Sequence, residues 1–131
     1  MSVTAPYHIF FDEINGYVCM EWKGYATSAQ FRQGTELMLE SVIQNRTGRV
    51  LADIKDMVLI GNEDQQWLLH NFLPRAIAAG FRLLCIVTPD NYFNKVAVET
   101  VSYKVDKEKL SINFFESLDD AKKMLNDFKE N

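Results

Sequence analysis

The sequence predicts an α/β domain in which a β-hairpin leads into alternating helices and strands. Three observations support this. Two β-rich runs, YHIFFDEI and YVCMEW, flank Asn15-Gly16, a pair suited to the positive φ angles of a tight two-residue type I′ turn. The run FRLLCIV at Phe81–Val87 is almost continuously apolar and rich in branched residues, as expected of a strand covered on both faces. Between and beyond these runs, the apolar spacing switches repeatedly from short strand-like stretches to helical periodicity.

After the hairpin, Gly24 ends the second strand and Thr27 or Ser28 caps a helix. Its apolar positions are Phe31, Leu37, Met38, Val42 and Ile43. Gly34 inside it costs about 1 kcal/mol relative to alanine, which points to close packing at that position. Asn45–Gly48 stops the helix, and RVLADI at Arg49–Ile54 reads as a buried strand with Asp53 at its end. The patch MVLI at 57–60 is too short to classify. Asn62 followed by Gln65 resembles a capping box, and Asp64, Trp67, Leu68, Phe72 and Ile77 extend a helix that leaves through Gly80. Pro74 should kink that helix or divide it. Beyond the Phe81–Val87 strand and Pro89, a helix is expected over 91–102, then a solvated turn, KVDKEKL, and a short strand over 112–116. Ser117 and Asp120 open a last helix with Ala121, Met124, Leu125 and Phe128 on one face. The order β-β-α-β-α-β-α-β-α favours a mixed, mainly parallel sheet sandwiched by helices.

Composition narrows the function. The 131 residues, 47% of them hydrophobic, suit one domain spanning 1–131 with one core. A net charge of -4 opposes a phosphate-neutralising surface, so nucleic acid is not expected as a partner. No apolar run approaches the ~20 residues of a membrane span. The start MSVTAPYHIF lacks the features of a secretory signal, so a cytoplasmic protein is expected. Cys19 and Cys85 lie in apolar runs without ligand-spaced neighbours and read as buried thiols. His8 and His70 have no accompanying nucleophile motif and read as structural or exposed. Glycine-rich phosphate loops and G-x-S-x-G elbows are absent. Neither a catalytic residue, a metal nor a cofactor is expected.

The segments W-K-G at Trp22–Gly24, L-A-D-I at Leu51–Ile54, E-D-Q-Q-W at Glu63–Trp67, A-A-G-F-R at Ala78–Arg82 and F-F-E-S-L-D-D-A at Phe114–Ala121 resemble the SpoIIAA-like, STAS/SEC14-related proteins. The same fold is found in bacterial anti-sigma-factor antagonists. The resemblance implies a STAS-type domain and a regulatory, protein-binding role. In the phosphorylated antagonists a serine begins the helix after the Asp53-type strand. Here Asn62 or Glu63 takes that place, so the resemblance implies a docking surface without the phosphorylation switch. Its SEC14-related side implies binding of an apolar small molecule or lipid.

Two candidate sites follow. Asp53, Lys55, Asp56, Asn62, Glu63 and Asp64 form a polar cluster where open parallel sheets place binding loops, and they are the candidate partner-binding surface. The competing structural reading has Asp53 serving loop amides and the others complementing a helix dipole. Trp22, Tyr25, Trp67 and Phe72, with Tyr92 and Phe93, are candidates for lining an apolar pocket, against a competing role in the core. An enzyme built around Asp53 and Asp56 is a weaker third reading, because convergent metal-binding carboxylates are not apparent. The hairpin edge offers a surface for a homodimer.

Overall fold

The computed structural model describes residues 5–58, 61–88 and 92–128, without the side chains of 92–95 and 97. Strands β1 (Tyr7–Asp12) and β2 (Tyr17–Gly24) form the hairpin, followed by helix α1 (Ser28–Asn45) and strand β3 (Arg49–Met57). A helical segment then runs through α2 (Asn62–Trp67), a π-turn (Leu68–Phe72) and α3 (Leu73–Ala78) into β4 (Leu83–Val87). Helix α4 (Tyr92–Tyr103), strand β5 (Ser111–Phe115) and helix α5 (Leu118–Asp127) complete the order. The five strands lie in sequence order, β1 antiparallel to β2 and all later neighbours parallel.

Because each parallel crossover steps the same way, a constant crossover hand places α1, α2–α3 and α4 on one face. On that face Val18, Met20, Trp22, Val50, Ala52 and Ile86 meet Phe31, Met38 and Val42 of α1, Phe72 and Leu73 of the α2–α3 segment and Val101 of α4. The other face is covered by α5, whose Ala121 and Leu125 pack on Tyr17, Cys19, Leu51, Leu83 and Cys85. Alternation along the strands separates these two sets.

Several local expectations change. The hairpin loop has four residues, since Asp12 pairs with Tyr17. The Asp12 carboxylate accepts the amides of Ile14 and Asn15, both at 3.0 Å. This Asx-type arrangement leaves only Gly16 in the loop with positive φ, at 79°, so the tight type I′ turn does not form. In α1, Leu39 and Thr35 face the core, whereas Leu37 and Ile43 are exposed. The expected positions Phe31, Met38 and Val42 are buried, and Thr35 joins them because its hydroxyl is satisfied by donating to Phe31 O at 2.7 Å. Thr27 and Gln30 form a complete capping box on α1, while α2 begins after Gly61 without a side-chain cap. Asn62 is already helical there, so the capping box expected at that helix does not form.

Pro74 divides its helix as expected. The Leu73 N–H reaches back to Leu68 O, five residues away, and widens the turn immediately before the proline ring. Strand β3 runs past Asp53 to Met57. It is prolonged because β2 continues beside it to Gly24, across a register shift between Glu21 and Lys23. Leu59, Ile60, Pro89 and Asn91, which figured in the sequence expectations, lie outside the described residues.

Candidate functional site

The polar candidates occupy different faces. Asp53 shares a row with His8, Glu21, Val87 and Phe115 across the sheet, on the α5 side. Its Oδ1 accepts the Lys55 amide at 3.3 Å. The register shift sets Asp56 opposite Lys23, and Lys55 and Asp56 are both exposed. Asn62 and Glu63 are exposed on the first turn of α2. Asp64, in contrast, is 6% exposed and turned toward α1, where it accepts hydrogen bonds from Ser28 Oγ at 3.0 Å and Arg32 Nε at 3.2 Å. Arg32 also lies over the Trp67 ring at 5.3 Å. Asp64 thus fastens α2 to α1, a buried charge that is both paired and hydrogen-bonded. The outward polar candidates are Lys55 and Asp56 near the end of β3 and Asn62 and Glu63 on the first turn of α2.

The apolar candidates converge more closely. A cavity of about 110 Å³ lies between the sheet and the three-helix layer, with Trp22, Ala52, Met57, Phe72, Leu73 and Val98 among the residues in its wall. Trp67 stands behind that wall, its ring centroid 5.5 Å from that of Phe72 and 6.3 Å from that of Phe31. Tyr25 is 69% exposed and belongs to the surface. The side chains of Tyr92 and Phe93 lie outside the described residues. The hydroxyls in the wall are engaged locally: Thr35 donates to Phe31 O and Ser102 to Glu99 O at 2.7 Å. An apolar guest would therefore meet hydrocarbon surface.

At ~24 cal/mol per Å³, leaving such a volume empty costs about 2.6 kcal/mol. An apolar void of about 150 Å³ accepts a benzene-sized guest, which sets the ligand scale here. Of the wall, sequence reasoning named only Trp22 and Phe72 as pocket residues; Ala52, Met57 and Val98 are among those it missed. The available signal was Ala52, a small side chain between larger ones in VLADI.

The reactive groups elsewhere are muted. Burial pushes the thiols of Cys19 and Cys85 up to about 12. Leu51 stands between them in register, so they are two strand spacings apart, roughly 9–10 Å, too far for a disulfide. His8 meets Glu21 Oε1 at 3.2 Å and His70 meets Gln66 Oε1 at 3.1 Å, both on the surface. Burial also raises the Tyr17 pKa. Among the described residues, no group of three or more acidic, histidine or cysteine side chains is arranged to hold a metal. No described helix is long and apolar enough to cross a membrane.

The architecture has a counterpart among solved structures. An uncharacterised protein of the DUF3478 family from Shewanella loihica PV-4, described as having a SpoIIAA-like fold, superposes with a TM-score of 0.63 at 21% identity. The match covers 95% of this chain and 98% of that one. No family model matches the sequence, and no curated protein matches it. The likeness shows that the chain has the SpoIIAA-like fold.

Proposed function

We propose that this SpoIIAA-like chain is a non-enzymatic regulatory or binding module whose ligand is a compact apolar molecule received between the sheet and its three-helix layer. The observation that carries the reading is the apolar cavity of about 110 Å³. It adjoins the π-turn, where Phe72 of the wall meets Leu73 at the start of α3. A natural guest would offset the cost of the void and gain dispersion contacts with its apolar wall.

Benzene provides a direct test. In the wild-type chain it should move the methyl resonances of Met20, Ala52 and Val101 and raise the unfolding temperature. Ala52→Leu, which extends a side chain into the space, should remove both effects while keeping the fold. Unmoved methyl signals at saturating benzene would reject the reading.

A second reading, a protein-partner surface, is favoured by the exposure of the polar residues Lys55, Asp56, Asn62 and Glu63. Asp53 sits in the middle of β3 with its carboxylate on the Lys55 amide, and Asp64 is turned inward to Ser28 and Arg32. Reversing charge at Asp56 and Glu63 together should weaken any captured partner at least tenfold. A partner whose affinity is indifferent to that change binds elsewhere.

A further inference from the structure

The cavity has a neighbour on the solvent side of the π-turn. A groove of about 680 Å³ runs between the α2–α3 segment and the loop joining α4 to β5. Leu69, Leu73 and Ile77, four residues apart, give one wall an apolar face. The opposite rim carries Arg82, Lys104 and Lys109 against Asp106 and Glu108, three cations to two anions in a chain whose net charge is -4. The Asp106 carboxylate is already engaged, accepting the Glu108 amide at 3.0 Å. Arg82 is fixed in place by Nη1, which donates to Ile77 O and Phe81 O at 2.8 Å. Lys104 and Lys109 are exposed and form no ion pair among the described residues.

Leu73 belongs to the walls of both the groove and the cavity. The end of α4 repeats this arrangement: Val101 and Ser102 face the cavity, while Lys104 and Val105, just beyond, face the groove. A single layer of side chains therefore separates a cationic rim from a hydrocarbon interior.

We propose that groove and cavity form one site for a small amphiphilic carboxylate. Its head would lie among Arg82, Lys104 and Lys109, and its tail would pass Leu73 into the cavity. The inference rests on the apolar-cavity reading and adds the ligand's charge and polarity. The rim's excess of one positive charge matches a singly charged head. The restricted interior suits a short or compact tail.

Titration calorimetry of the full chain with hexanoate, 1-hexanol and acetate tests this. Hexanoate should bind more tightly than either comparison compound. In Lys104→Ala/Lys109→Ala its affinity should fall roughly fivefold, as expected for two exposed charge contacts, with 1-hexanol unaffected. Raising salt to about 0.5 M should weaken hexanoate alone. Ala52→Leu should weaken hexanoate and 1-hexanol together.

If benzene and 1-hexanol enter but hexanoate shows no advantage or no dependence on the lysines, the carboxylate site is overturned and the cavity reading stands. If neither benzene nor 1-hexanol enters, the cavity reading itself falls. Hexanoate binding that needs the lysines but ignores Ala52→Leu would overturn the passage past Leu73 and reduce the groove to a surface anion site.

Discussion

Arg49 joins three pieces of backbone far apart in sequence. Its Nη1 donates to Leu125 O at 2.7 Å and its Nη2 to Asn15 O and Gly16 O at 2.9 Å, while the guanidinium lies over the Tyr17 ring at 5.8 Å. Removing it takes the side-chain donor from the Leu125 and Asn15 carbonyls at the junction of the hairpin, β3 and α5, while Gly16 O keeps the Thr47 hydroxyl at 2.9 Å. Arg49→Ala should therefore destabilise by about 2–3 kcal/mol in urea unfolding. Arg49→Lys should recover less than half, since a single ammonium cannot reproduce the planar fork. The buried thiols give a second prediction at this scale. Their pKa values are raised from 9.0 to about 12 by desolvation, so the folded chain holds those protons where the unfolded chain releases them. Their contribution to stability is complete below about pH 9 and is lost as pH rises toward about 12. A urea midpoint that is flat or rising over that window would contradict this. At neutral pH both thiols should resist alkylation until the chain is unfolded.

Among the elements, α1 shows how tertiary packing reverses a local preference. Gly→Ala in a helix ordinarily stabilises by about 1 kcal/mol. At Gly34, however, an added Cβ would lie 2.7 Å from Trp22 Cη2 and 2.9 Å from the Tyr7 ring. Gly34→Ala should instead destabilise by about 1–3 kcal/mol, measured by thermal or urea unfolding. The sequence showed that Gly34 was unusual without showing which aromatics crowd it, because those come from the hairpin. Ser117 was legible for a simpler reason: its hydroxyl accepts the Asp120 amide at 3.1 Å, a contact within one turn. Ser117→Ala should cost about 1 kcal/mol and loosen α5 first, detectable by hydrogen exchange. The extension of β3 past Asp53 was not legible, since it depends on pairing with β2 across the register shift.

At the scale of the whole molecule, the alternating order, the hairpin and the mainly parallel sheet could be read from periodicity, because each strand-helix unit carries its own pattern. The candidate site was less legible. Trp22 and Phe72 line the cavity, but Tyr25 does not, since aromatic identity does not report which face of an element a side chain occupies. Asp64 read as part of an outward polar cluster, yet its partners Ser28 and Arg32 lie on another helix. The cavity emerges only when four strands and the three-helix layer are assembled around Ala52. Ala52→Val should use part of that space and raise stability by about 1 kcal/mol. A loss of stability in calorimetry would mean that the surrounding wall cannot admit the added methyls. The arrangement also gives the molecule two built-in optical channels. Trp22 lies in the cavity wall with Tyr7 at 5.2 Å and Phe31 at 5.6 Å, while Trp67 sits under the Arg32 guanidinium at the α1–α2 clamp. One indole samples the interior and the other an ionic contact, so emission from single-tryptophan variants can follow filling of the interior and loosening of the clamp without any attached dye.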